Sequence, residues 1–166
     1  MMRKIFLLIV VAYLSVPAWA QSGADLEVGL KGGVGDYSSA EDSPGGRGVV
    51  GVEVCAFCAG KYALFGDYQH FFRPDNTRTS YKSAESFSAG LRIQGNRKVN
   101  PFFDVGVGVG KNRFGLTSLT TVGAAFGTGL RIPLGERAYV RPQLRLHVLS
   151  HGYLLGSAEV AVGWRF

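Results

Sequence analysis

The sequence predicts an all-β chain: eight antiparallel strands closed into an up-and-down transmembrane β-barrel, preceded by a cleaved signal peptide. Three observations carry this reading. Apolar residues recur at every second position through eight segments, and the positions between them hold glycine or charges of both signs. The connections alternate between long and short. The last residue, Phe166, sits at the end of a strand that alternates without a break.

The first element is the leader. Arg3 and Lys4 form a basic start, Ile5 to Leu14 is a short apolar run, and Pro17 interrupts it. Ala18-Trp19-Ala20 places small residues at the two cleavage-recognition positions, so cleavage is expected before Gln21. Residues 1–20 are thus read as a signal peptide and 21–166 as the barrel. The apolar run is far shorter than the roughly twenty residues a spanning helix needs. No later stretch is long and apolar enough to cross a membrane as a helix, so an exported chain entering a membrane must cross it with strands.

The strands follow in order. Leu26, Val28, Leu30 and Val34 oppose Glu27, Gly29, Lys31 and Gly33. Val50, Val52 and Val54 oppose Gly51, Glu53 and Cys55. The third strand is the least regular, with Leu64 and Tyr68 opposing Phe65, Asp67 and Gln69. Phe87, Ala89, Leu91 and Ile93 oppose Ser86, Ser88, Gly90 and Arg92. Phe103, Val105, Val107 and Val109 alternate with Asp104, Gly106, Gly108 and Gly110. Val122, Ala124, Phe126, Leu130 and Ile132 alternate with Gly123, Ala125, Gly127, Gly129 and Arg131. Val140, Pro142, Leu144, Leu146 and Val148 alternate with Arg141, Gln143, Arg145 and His147. Ala158, Val160, Val162, Trp164 and Phe166 close the series against Ser157, Glu159, Ala161, Gly163 and Arg165. Period two is the signature of a strand with two unlike faces. Pro142 removes a ladder donor on the seventh strand, a position where a bulge is expected.

Alternation alone fits a soluble lipocalin-like barrel, apolar inside, as well as a membrane barrel, apolar outside. The polar face decides for the membrane. It carries Lys31, Arg92, Arg131, Arg141, Arg145 and Arg165 against Glu27, Glu53, Asp67, Asp104 and Glu159, a set able to pair in a confined lumen. An eight-stranded interior is only just wide enough to be filled by side chains, and glycines beside the arginines relieve the crowding. On a water-facing exterior, Gly106-x-Gly108-x-Gly110 would weaken its strand with no packing reason. Long connections are expected near 35–47, 71–83, 111–119 and 149–156, and short ones near 58–61, 95–100 and 133–137, the arrangement of long outer loops and short periplasmic turns. Both termini then lie on the periplasmic side. Tyr62, Phe102, Tyr139, Trp164 and Phe166 are expected in an aromatic girdle at the membrane boundary.

The closing segment Ala158-Glu159-Val160-Ala161-Val162-Gly163-Trp164-Arg165-Phe166 resembles the last strand of bacterial outer membrane β-barrels. Pro101-Phe102-Phe103-Asp104-Val105-Gly106-Val107-Gly108 and Gly129-Leu130-Arg131-Ile132-Pro133-Leu134-Gly135 are similar to stretches of the "outer membrane protein beta-barrel domain" proteins, and the mature chain looks like the small OmpA/OmpX-like barrels. The resemblance implies residence in the outer membrane lipid, and recognition of terminal Phe166 by the barrel-assembly machinery. It implies no cofactor and no activity. No peptidoglycan-binding domain follows the barrel, so no cell-wall anchoring role is implied.

Composition excludes several classes. Glycine makes up 24 of 166 residues, roughly double the usual share, yet without a collagen period. Formal charge is +6, or +4 without Arg3 and Lys4, too mild and too dispersed for nucleic acid. The Gly-x-Gly runs lie inside strands with no following helix and fail as phosphate cradles. Two cysteines cannot supply a four-ligand zinc site. Cys55-x-x-Cys58, exported to an oxidising compartment, is read first as a local disulfide and second as two free thiols. A redox role would want a helix N-terminus to lower a thiol pKa, and none is predicted. His147, Ser150 and His151 cluster at the outer end of the seventh strand. Some outer membrane barrels are lipid A acyl hydrolases with a His-x-Ser-Asn-like run; here Ser150 comes three residues after His147, and His151 stands in the Asn-like position. The expectation is a non-enzymatic barrel with a structural or surface-interaction role, with the acyl hydrolase and a small pore as alternatives. The acidic stretch 36–47 does not have calcium-loop spacing, and the mostly basic stretch 73–82 names no ligand.

One measurement checks both processing and thiol state. The intact mass of purified protein, alkylated under denaturing conditions without reductant, should correspond to a chain starting at Gln21 with no alkyl group added; two added groups would mean free thiols.

Overall fold

The computed structural model of the protein describes residues 25–38, 46–72, 81–95, 98–114 and 117–166. The expected leader, 1–20, and the loop segments 39–45 and 73–80 lie outside the described residues. Eight strands form one closed barrel in sequence order: β1 (Leu26–Ser38), β2 (Arg47–Ala56), β3 (Tyr62–Phe71), β4 (Tyr81–Gln94), β5 (Asn100–Phe114), β6 (Thr117–Pro133), β7 (Ala138–Leu149) and β8 (Tyr153–Arg165). Every neighbouring pair is antiparallel, and β1 closes onto β8 from Glu27↔Arg165 to Ser38↔Leu154.

The apolar alternation points outwards. Leu30, Leu64, Phe87, Val107, Val122, Leu144 and Val160 stand exposed on the outer wall, with Val107 at 67%. The alternate positions are buried in the lumen, including Glu27, Arg92, Asp104 and Arg141. Trp164, Phe166 and Tyr62 are exposed near the end of the barrel where the short turns lie. Phe102 and Tyr139, expected in the girdle with them, instead point into the lumen at 4% and 0% exposure. The reason is parity: Phe102 is two residues from inward Asp104, and Tyr139 two residues from inward Arg141, so neither can reach lipid.

Glycine makes the inward packing possible. Tyr139 pairs with Gly163, and a Cβ on Gly163 would lie 2.3 Å from the Tyr139 hydroxyl. In the Gly106-x-Gly108-x-Gly110 run, a Cβ on Gly106 would meet the Ala89 carbonyl at 2.2 Å and one on Gly110 would meet Leu149 at 2.5 Å, whereas one on Gly108 would find its nearest neighbours at 3.5 Å.

The connections differ from expectation on the outer side. The short ones fall as expected, at 57–61, 95–99 and 134–137. The third and fourth outer connections are not long loops. β5 and β6 continue pairing to Phe114↔Thr117, and β7 passes to β8 through a single turn, Ser150–Gly152. Towards this end of the barrel, outward side chains turn polar, so the apolar alternation ends before the ladder does; Lys111, Arg113 and Ser118 read as loop by composition yet remain in strands. The expected bulge at Pro142 is absent too. The β6–β7 ladder omits that position but resumes from Gly129↔Gln143 to Ile132↔Val140 without slipping, and Pro142 stays opposite Val160.

Replacing Gly163 with valine should destabilise the barrel by about 1–3 kcal/mol through overpacking against Tyr139. Gly108→Ala should change stability by no more than about 0.5 kcal/mol, because its Cβ finds ordinary contact distances. Urea midpoints read from the heat-modifiable gel band separate the two; equal midpoints would contradict this account of the packing.

Candidate functional site

The lumen is built from the inward residues of all eight strands, stacked in layers. At the periplasmic end, the Glu27 carboxylate on β1 receives three guanidiniums: Arg131 at 2.6 Å, Arg141 at 2.8 Å and Arg165 at 3.2 Å. These come from β6, β7 and β8, so one carboxylate ties the seam strand to its neighbour β8 and to two strands beyond it. The Tyr139 ring lies beneath two of them, 4.5 Å from Arg141 and 5.1 Å from Arg131. Cations over an aromatic face gain from the ring quadrupole, more so when desolvated.

The middle layer is centred on Glu53, Asp104 and Asp67. Arg141 also bonds Glu53, and Tyr139 donates its hydroxyl to the same oxygen at 3.4 Å. Arg92 grips Asp104 with two parallel bonds of 2.7 and 2.8 Å, the fork geometry in which arginine is strongest. Arg145 reaches Asp104 at 3.0 Å and Asp67 at 3.4 Å. Phe102 and Phe65 fill the space between the guanidiniums, with Phe102 4.4 Å from Arg92 and Phe65 5.1 Å from Arg145. Next, Lys31 joins Asp67 to Glu159. Glu159 also accepts bonds from Gln69, from Gln143 at 3.1 Å and from Ser157 at 2.6 Å.

An apolar layer caps this polar stack at the outer end: Tyr37, Val49, Phe71, Ala84, Leu149 and Leu155, with Tyr153 stacked on Tyr37 at 5.4 Å. Sequence reasoning did not single out this cluster, although the parity of Tyr37, Val49 and Leu155 with the inward charges of their strands was available to find it. All eleven charged residues assigned to the lumen from sequence face it; Arg165, at the mouth, keeps its side chain 31% exposed.

Burying so many charges is costly unless each is paired, and breaking one buried pair leaves an uncompensated charge. Here each carboxylate has at least two cationic or amide partners from other strands, which makes the network a device for closing and fixing the lumen.

Cys55 and Cys58 are joined by a disulfide across the β2–β3 turn, buried beside Ala63. Gln94 donates to the carbonyls of Cys58 and Gly60, and the Phe57 amide donates to the Asp25 carbonyl at 2.8 Å. The turn is thereby held at the periplasmic mouth. Glu27 lies within 4.8 Å of both sulfurs, but these three make no metal centre: the sulfurs are bonded to each other, and the carboxylate is committed to three arginines.

His147 and Ser150 are not brought together. His147 is buried in the lumen and neither ring nitrogen has a hydrogen-bond partner among the described residues. Ser150 is exposed on the β7–β8 turn, where its hydroxyl accepts from the Val122 amide at 3.4 Å and lies 3.2 Å from His151 Nδ1. Phe166 is 58% exposed on the outer wall and its amide donates to the Leu26 carbonyl at 2.9 Å, completing the seam ladder.

A closed antiparallel sheet with an apolar outer belt and an ion-paired interior is a transmembrane β-barrel, the form that satisfies its backbone hydrogen bonds inside lipid. The chain belongs to the outer membrane protein beta-barrel domain family, whose profile matches residues 6–166. It is therefore a protein of the bacterial outer membrane. No curated protein matches the sequence. Among solved structures, the fold is similar to Neisserial surface protein A, with a TM-score of 0.68 at 12% identity over 85% of this chain and 97% of that one. Ail, the attachment invasion locus protein of Yersinia pestis crystallised with the heparin analogue sucrose octasulfate, gives 0.64 at 14% identity over 86% and 99%. The N-terminal β-barrel domain of Pseudomonas aeruginosa OprF gives 0.62 at 16% identity over 86% and 97%.

Among the described residues, Arg141 alone bonds both Glu27 and Glu53. Arg141→Ala should cost about 3–5 kcal/mol, the range for orphaning a buried charge. Arg165→Ala at the exposed mouth should cost about 1 kcal/mol or less. Unfolding midpoints in detergent micelles check the ranking, and a reversed order would disprove it.

Proposed function

We propose that the protein is a non-enzymatic, sealed barrel of the outer membrane. It acts as an anchored scaffold that presents the outer ends of its strands and its outer loops to the surroundings. The observation that carries this is the lumen itself. Arginine–carboxylate pairs from β1 to β8 cross it in successive layers, and an apolar layer lies over them. An eight-stranded lumen filled in this way leaves no aqueous path for solutes. The geometry gives the acyl hydrolase alternative little to work with: His147 is buried in the lumen away from Ser150, and His151, whose Nδ1 lies 3.2 Å from the Ser150 hydroxyl on the exposed turn, has no carboxylate to orient it among the described residues. Surface contact remains as the task. Ail, an attachment invasion locus protein held in complex with a heparin analogue, supports that reading as a barrel of the same fold. In this reading the leader, residues 1–20, exports the chain. The exposed terminal Phe166 is the contact for the barrel-assembly machinery.

Planar bilayer recordings test the seal. Purified wild-type protein should give no steady single-channel current, whereas Glu53→Ala combined with Arg141→Ala should give measurable openings if it inserts. Steady large currents from the wild type would replace the scaffold with a pore.

A further inference from the structure

The lipid-facing wall is not smooth on the side where β1 closes onto β8. At the end with the short turns, an open cleft of about 750 Å³ lies over the end of β8, lined by Asp25, Glu136, Arg137, Trp164, Arg165 and Phe166. Two backbone bonds frame it: the Arg165 amide donates to the Arg137 carbonyl at 2.7 Å, and the Phe166 amide donates to the Leu26 carbonyl at 2.9 Å. Trp164 and Phe166 stand exposed on its lipid side. The charges occupy the rim. Arg165 is bound to Glu27 at 3.2 Å and keeps part of its side chain accessible. Asp25, Glu136 and Arg137 make no ion pair among the described residues.

A second hollow, of about 620 Å³, lies further along the same side, across β1, β8, β7 and β6. Small outward residues make its floor. Ala158 lies opposite Val34 on one side and Leu144 on the other, and Val160 lies opposite Gly32 and Pro142. Val34, Leu144 and Val160 project as exposed ridges, and Ala158, Gly32 and Pro142 lie low between them. From Trp164 to Ala158, β8 climbs about 20 Å. At the usual strand tilt this is about 15 Å of depth, half of the roughly 30 Å hydrocarbon core. The two hollows are therefore spaced like the headgroup and the chain of a lipid in one leaflet.

We propose that these two hollows hold one phospholipid with an ethanolamine-type headgroup, its phosphate and ammonium in the rim cleft and an acyl chain in the hollow beyond. The cleft offers both signs of charge. The phosphate faces Arg137 and the accessible side of Arg165, guanidiniums whose fork matches phosphate oxygens. The ammonium donates to Asp25 and Glu136. A purely anionic headgroup would leave those two carboxylates beside like charge, and a quaternary ammonium has no N–H to give them. Exposed charge pairs are individually weak, so the selectivity comes from meeting both ends of the headgroup at once. Trp164 and Phe166 lie at the level where aromatic rings contact headgroups. In the hollow, the low floor between ridges brings a chain into contact on three sides, and such dispersion contacts are small singly and large together. The site lies on the lipid-facing wall, so it stands apart from the sealed lumen and from surface contact, and each can fail without the other.

Trp164 is the only tryptophan besides Trp19 of the leader, so in the chain starting at Gln21 its fluorescence reports on the cleft. The purified protein is reconstituted in phosphatidylcholine vesicles containing a second phospholipid brominated on its acyl chains, and quenching of Trp164 is titrated against mole fraction. Brominated phosphatidylethanolamine should associate about threefold or more tightly than brominated phosphatidylcholine or brominated phosphatidylglycerol. Asp25→Lys combined with Glu136→Lys should shift the preference to phosphatidylglycerol. Ala158→Leu, on the outer wall, should weaken association of phosphatidylethanolamine while keeping heat-modifiable mobility. Equal association of the three lipids with the wild type overturns the proposal whether or not the variants fold. A phosphatidylethanolamine preference that both variants retain overturns it as well. So does quenching that never saturates with any of the three, which would leave the cleft to residues 21–24 ahead of Asp25.

Discussion

Lipid offers a backbone amide no partner, and every other feature of this molecule follows from that constraint. A sheet in hydrocarbon must close on itself, since an open edge would leave a row of donors and acceptors unsatisfied. Closure onto β8 is therefore the event that makes the wall viable, and the Phe166 amide completes it against Leu26. Once the wall is closed, the sheet has an inside and an outside, and the alternation of side chains assigns each residue to one or the other without further choice.

The closed wall sets a second problem, because a tube of eight strands is narrow but not solid. Its interior could be filled with apolar side chains, yet the outer face already claims the apolar positions. The lumen is filled instead with long cations, carboxylates and the rings of Phe65, Phe102 and Tyr139. Ion pairs here are weak evidence for stability in themselves. Their contribution is geometric. Glu27 on β1 holds arginines from β6, β7 and β8, and Arg92 on β4 clamps Asp104 on β5, so a strand slipped by one residue would turn its charges into lipid. The glycines are the complement of the large side chains: Tyr139 lies where Gly163 leaves room.

The two ends of the barrel differ because their surroundings differ. At the periplasmic mouth the turns are short, the disulfide and Gln94 hold one of them in place, and the exposed aromatics mark the boundary. At the outer mouth an apolar layer seals the charged stack. Beyond it the strands are free of the lipid constraint, and among the described residues the β5–β6 pairing continues past the last β6–β7 pair.

Much of this was legible in the residues. Period two located the strands and their inward faces, and the mixture of Arg, Glu and Asp opposite Val and Leu marked a charged lumen. The same parity already placed Phe102 with Asp104 and Tyr139 with Arg141; position near a strand end was the wrong guide there. The outer strand ends were not legible, because outward residues above the membrane are polar whether they lie in loop or ladder, and only cross-strand pairing tells Arg113 and Ser118 from a loop. The sequence by itself determined the closed, two-faced wall, since that depends on local alternation alone. Which arginine meets which carboxylate and how far each strand rises were decided by the tertiary structure, because those depend on register and shear, which relate residues far apart along the chain.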